Sequence, residues 1–213
     1  MLLLVFGPIV PRSLAAIFSP QSLLNRGAPI TNRSLLGSAA YELILLVLLG
    51  LFLRARGWTL TRFTAKPAWG DLPLALALGL GSYAASTLLW LVVVGFWPDI
   101  GRIAATIAGG LVGTDLHWPG VLLVSLVNPV FEEVLICAYP IAALRERVGV
   151  TAAVNVSAAL RVFAHFYQGA LGIFGIVPMA LLFAYAYART GRLWPLILAH
   201  AILDFAALAA HVG

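Results

Sequence analysis

From Leu72 to Phe96 the chain carries no charged side chain. A helix needs ~20 apolar residues to cross the hydrocarbon core of a bilayer, and this run is long enough. Inside lipid a segment must satisfy its own backbone hydrogen bonds, so such a run folds as a helix and packs with other helices. It is not alone. Leu35 to Leu53 carries one charge, Glu42, and Trp118 to Leu144 is long and apolar. Val148 to Gly169, Ala170 to Ala188 and Leu193 to Ala210 follow. Ile103 to Gly113 is too short and Gly-rich to be read as a span; it suits a re-entrant, interfacial or broken helix. The first residues are apolar but interrupted by Pro8, Pro11 and Arg12, with no basic leader and no small-residue cleavage site, so no signal peptide is expected. The pattern predicts an all-α, polytopic transmembrane helix bundle of six or seven spans, forming one domain over residues 1–213.

Composition agrees with this reading and excludes others. The chain is 62% hydrophobic and 10% charged, outside the range of soluble globular domains. A net charge of +5 would suggest nucleic acid in a soluble protein. Here the basic residues sit between spans, so no nucleic-acid partner is expected and membrane lipid is. Arg54, Arg56, Arg62, Lys66, Arg145, Arg147, Arg189 and Arg192 fall on one side if Ile103 to Gly113 does not cross, against Arg26, Arg33 and Arg102 on the other. The positive-inside rule makes the first side cytoplasmic. Trp58, Trp69, Trp97, Trp118 and Trp194 lie near span ends, where aromatic belts form. The single cysteine, Cys137, excludes an internal disulfide.

Against that background a few side chains stand out. Glu132, Glu133, Arg161, His165, His200 and Asp204 all lie in otherwise apolar spans. An ionisable group at the bilayer centre costs ~2.5–3.5 kcal/mol on insertion scales, so such groups face a bundle interior and mark function, or make structural polar contacts between helices. Spacing favours a shared site. His200 and Asp204 are one turn apart, as are Arg161 and His165, and Asn128 and Glu132. Glu132 and Glu133 are successive and point ~100° apart on an α-helix, so only one is expected to aim at a given point. A carboxylate, an imidazole, and an imidazole with a second carboxylate can bind zinc or activate water as a general base. There is no HExxH zinc motif, and Ser125 and Ser157 lack the context of a nucleophile. Glu42, His117, His211 and Cys137 are read as cavity, interfacial or packing residues.

Glu132-Glu133, "RVFAHFYQG" around His165 and "LWPLILAHAILD" around His200 resemble the three motifs of the CAAX prenyl protease and bacteriocin-processing family (CPBP, or Abi, proteins), which are intramembrane proteases. The resemblance covers residues 118–208, a catalytic core. It implies a helical bundle with a conical cavity open to the cytoplasm. It makes Glu132 the carboxylate that activates water and His165 the residue that helps hold that water or a metal. It makes His200 and Asp204 the pair that binds metal, zinc being the candidate, or stabilises an oxyanion. Glu132, His165, His200 and Asp204 are then the catalytic set and the candidate metal ligands, with Glu133 and Arg161 in support. Two departures stand out. The second motif, often FxxxH, has Arg161 at its first position. The family's first motif is usually EExxxR, and Cys137 occupies the arginine position. Arg161, from the neighbouring helix, is expected to supply the missing cation to Glu133.

The expected function is an intramembrane endopeptidase that hydrolyses a peptide bond near the membrane with Glu/His-activated water, with or without a metal. Its partners would be lipid and a peptide or membrane-protein substrate. The location implied is multi-pass in the cell membrane, a bacterial inner membrane. The alternative is a non-catalytic immunity factor or scaffold that keeps the protease fold. A small transporter ranks below both, because no duplicated half is visible.

Overall fold

The computed structural model describes residues 30–102, 112–113, 115–165 and 172–213. The expected N-terminal segment and nearly all of Ile103 to Gly113 lie outside the described residues. Each of the six longer apolar runs contains helix. These are α1 (Asn32–Ala55), α2 (Asp71–Phe96), a long third helix with α3 (Trp118–Glu132) and α4 (Tyr139–Val148), α5 (Val150–Ala164), α6 (Gly172–Thr190) and α7 (Trp194–Ala209). Among the described residues there are no strands, only isolated bridges such as Leu116 to Val212.

Local chemistry sets the ends. A capping box opens α1: Ser34 N–H donates to Thr31 Oγ1, and Thr31 N–H donates to Ser34 Oγ. Pro119 and Pro195 stand in the first turns of α3 and α7, where a missing N–H costs nothing. Gly149, at φ 85°, separates α4 from α5 in a backbone conformation that favours glycine. That glycine moves the start of α5 to Val150, and the helix stops at Ala164. Its 15 residues make a rod of ~22 Å, shorter than the ~30 Å core. The sequence reading of one span from Val148 to Gly169 therefore began two residues early, and its end after His165 lies outside the described residues.

Four helical stretches are long and apolar enough to cross a membrane: Asn32–Ala55, Asp71–Phe96, Trp118–Val148 and Gly172–Thr190. Val150–Ala164 and Trp194–Ala209 are apolar but shorter. The protein is a multi-pass membrane protein. Outward-facing Ile44, Val47 and Leu51 on α1 and Leu80, Leu88 and Leu91 on α2 are each more than half exposed, a surface suited to lipid rather than water. The third helix, α7, α2, α6 and α5 pack in succession, α5 returns to α4, and α1 lies against α3. Their shared interior holds Leu49, Leu78, Leu135, Ile141, Phe183 and Leu196.

The turn between α6 and α7 is tied to the loop before α2. Arg192 Nε and Nη2 reach the two carboxylate oxygens of Asp71 at 2.5 and 2.8 Å, and Tyr187 Oη–H donates to the Phe63 carbonyl at 2.8 Å. These contacts hold the basic end of the bundle together.

Between α3 and α4 the third helix widens into a π-helical stretch, Glu133–Ala138. Such turns recur at functional sites. The cause is local. Pro140 has no N–H to offer the Ile136 carbonyl one turn back. Ser157 Oγ–H, from α5, donates to that carbonyl instead at 2.8 Å. Ser157 is thus a packing residue with a stated task. Ser157→Ala is expected to destabilise the bundle by ~1–3 kcal/mol by stripping a donor from a buried carbonyl. Denaturant unfolding in mild detergent measures it, and an unchanged midpoint would remove this account of the wide turn.

Candidate active site

The wide turn begins at Glu133, directly after Glu132, and alters how the two carboxylates project. Glu133 is fully buried and Glu132 is 12% exposed at its side chain. On a regular helix only one was expected to reach a common point. Both in fact meet Arg161, which projects from the last turn of α5. Arg161 Nη1–H donates to Glu132 Oε2 at 3.2 Å. Arg161 Nη2 stands 2.7 Å from Glu133 Oε1, an ion pair off the line of a good hydrogen bond. The planar fork of the guanidinium can serve two carboxylates in this way, which an ammonium could not do as readily. The ring of Phe183 lies 5.8 Å from the guanidinium carbon.

The histidines complete the cluster from two sides. His165 is the residue at which α5 ends. Its Nδ1 lies 2.8 Å from the Arg161 carbonyl, which can only accept, so Nδ1 carries a proton. Nε2 then points the other way and faces Glu132 Oε1 at 3.7 Å. From α7, His200 Nδ1–H donates to Glu133 Oε1 at 2.7 Å. His200 Nε2 faces Asp204 Oδ1 at 3.5 Å, one turn along the same helix. Asn128 Nδ2–H, one turn before Glu132, donates to Asp204 Oδ2 at 2.9 Å. The shared cluster inferred from spacing is thus present in space: Glu132, Glu133, Arg161, His165, His200 and Asp204 connect without a gap, and the expected Arg161 to Glu133 contact is formed.

Two residues outside the expected catalytic set join the cluster. Asn128 holds the Asp204 carboxylate, and its one-turn offset from Glu132 was the available signal. Glu42, on α1, interacts electrostatically with Glu132, Asp204 and His200, and its Oε2 has no hydrogen-bond partner among the described residues. Its lone charge in an apolar run was the signal, but nothing in the sequence said that α1 lies against the cluster. Cys137 is buried beside Arg161 and Ser157. Ser125 is buried in α3.

The donor set does not suit a metal ion as arranged. The guanidinium lies between the two glutamates, and both His200 nitrogens face carboxylates. Among the described residues no group of three His, Cys, Asp or Glu side chains is placed to hold one.

A cavity of about 450 Å³ opens at the Arg-rich end of the bundle, between the end of α1 and α4. The residues lining it do not include the glutamates or histidines of the cluster.

Fold and cluster together define a class: a multi-pass helical membrane protein with an acid–base cluster of two glutamates, an arginine, two histidines and an aspartate inside it. Residues 113–206 match the family model described as type II CAAX prenyl endopeptidase Rce1-like. The match covers somewhat less than half of the chain and takes in every residue of the cluster except Glu42. The resemblance read from the three motifs is borne out at that level, and the segment is similar to CAAX-type membrane proteases. No curated protein and no solved structure matches the chain.

Proposed function

We propose that the protein is an intramembrane endopeptidase in which Glu132 and His165 activate a water molecule. The observation that carries this reading is the orientation of His165. With Nδ1–H spent on the Arg161 carbonyl, Nε2 faces Glu132 Oε1 at 3.7 Å. In the proposed mechanism the ring is neutral, and a water at ~2.8 Å from both atoms directs one hydrogen to each. In the reaction Glu132 takes one proton as the water oxygen bonds to the peptide carbonyl carbon. The tetrahedral intermediate then collapses, the carbon–nitrogen bond breaks, and Glu132 returns the proton to the leaving amine. Arg161 offsets the charge of the glutamate pair. Glu133 holds His200 at Nδ1, and the longer Nε2 contact to Asp204, 3.5 Å, is the one that would open for Nε2–H to meet the oxyanion. Zinc has no part in these steps, because the side chains are committed to one another.

The substrate is a peptide or membrane-protein segment at the level of the lipid, and the location is the cell membrane, a bacterial inner membrane. The substrate is not a prenylated CAAX protein, since bacteria generally lack such substrates. One observation favours a second reading, a non-catalytic immunity factor or scaffold: both glutamates are already in contact with Arg161.

The test is cleavage profiling of a peptide library by the purified protein in liposomes, read by mass spectrometry, beside Glu132→Ala. Expected are products from the wild type, none from the variant, and no change on adding chelator. Identical products from both proteins would end the peptidase proposal. Loss with chelator and recovery with zinc would return the metal to the mechanism.

A further inference from the structure

The cavity at the Arg-rich end has a lining unlike the rest of the bundle. Arg56, Arg62 and Arg147 converge on it with Trp58 and Tyr139, and among the described residues Glu146 is the one carboxylate in its wall. All three arginines are exposed. None pairs with a carboxylate among the described residues; Arg62 lies over the Trp58 ring at 4.2 Å and Arg56 over Phe52 at 5.2 Å. Stacking of this kind fixes a guanidinium while leaving its N–H donors in the ring plane free. Three cations against one anion make the cavity a receptor for negative charge, and guanidinium forks suit phosphate oxygens.

The approach to the cavity says which phosphate. Ile44, Leu48, Phe52 and Arg56 are spaced one turn apart, so they form a row along α1. Ile44 and Leu48 are exposed apolar residues on the lipid-facing surface, Phe52 lines the cavity, and the row ends at Arg56. An apolar track leading into a basic cavity matches an amphipathic ligand, with a charged head at one end and hydrocarbon along the helix. Basic pockets between transmembrane helices on the cytoplasmic side are suited to anionic headgroups. The volume of about 450 Å³ is of the size that takes a small ligand group. A free anion would engage the arginines alone, whereas a lipid would engage the arginines and the row together.

We propose that this cavity binds the phosphate headgroup of an anionic glycerophospholipid, with an acyl chain along the Ile44–Leu48–Phe52 row. The site is separate from the glutamate–histidine cluster and stands whether or not that cluster cleaves peptides.

The purified protein in detergent is titrated with short-chain phosphatidylglycerol, short-chain phosphatidylcholine and inorganic phosphate, and binding is read by native mass spectrometry and thermal shift. Expected is saturable binding of phosphatidylglycerol that weakens with salt, with much weaker binding of phosphatidylcholine. Inorganic phosphate should not displace the lipid at equal concentration. Arg62→Ala with Arg147→Ala should weaken phosphatidylglycerol binding by ~30-fold, from the usual contribution of each surface cation. Both side chains are exposed, so the fold should survive. Glu146→Gln, which removes the opposing charge, should tighten binding and tests the same idea without deleting a cation. Equal binding of the two lipids, or unchanged affinity in both variants, overturns the proposal. Displacement by inorganic phosphate overturns the lipid assignment in favour of a free anion.

Discussion

Glu132→Gln is expected to abolish peptide cleavage while leaving the bundle folded. Loss of general-base help costs ~10²–10⁴-fold in rate, enough to remove detectable turnover. Gln has nearly the shape of Glu and keeps a carbonyl oxygen for the N–H of Arg161 Nη1, now 3.2 Å from Glu132 Oε2. It cannot take a proton from water. Glu133→Gln is the informative contrast. Glu133 is fully buried against Arg161 and His200, so its neutralisation removes the more deeply buried of the two counter-charges of the Arg161 guanidinium and should lower stability as well as rate. Melting temperature and kcat measured on both variants separate the roles. If Glu132→Gln cleaves at the wild-type rate, the water mechanism is wrong. If the wild type cleaves nothing, yet confers a phenotype that Glu132→Gln retains, the scaffold reading replaces it.

The sequence carried the helices more clearly than their ends. Long uncharged runs such as Leu72 to Phe96 have few folded solutions in lipid, so α2 was legible almost to the residue. The break before α5 was expected between Leu144 and Val148 and falls at Gly149, because a glycine in such a stretch signals a turn only when the backbone takes a positive φ. The residues of the cluster were legible because charge is costly at that depth, and their pairing within α7 followed from one-turn spacing. Their pairing between helices was only partly legible. Spacing on a regular helix set Glu132 and Glu133 at divergent angles. The π-helical stretch made by Pro140 and the donor from Ser157 changed that geometry, and no periodicity rule anticipates it. Glu42 shows the same limit in another form. Its part in the electrostatics of the cluster depends on α1 packing against α3, a tertiary fact.

The replacement of the family's motif arginine by Cys137 leads to a result measurable without any substrate. Arg161→Leu is expected to destabilise the protein by ~3–5 kcal/mol, the usual cost of stripping one partner from a buried ion pair. The size follows from the site: Arg161 is 2% exposed, contacts both glutamates, and leaves Glu133 fully buried without its cation when removed. Cys137 is buried in the π-helical stretch and lies close enough to both Glu133 and Arg161 to feel their charges. An arginine there could approach the glutamates from their own helix. Alone, Cys137→Arg should also destabilise, by ~1–3 kcal/mol for overpacking and more for a second buried cation. In the Arg161→Leu background that cation is no longer surplus, and leucine is smaller than the arginine it replaces. The double variant should therefore be more stable than the sum of the two single losses predicts, with a coupling energy above ~1 kcal/mol. Unfolding of all four proteins in the same detergent measures that coupling. Additivity within ~0.5 kcal/mol would show that Arg161 does not stand in for the missing arginine.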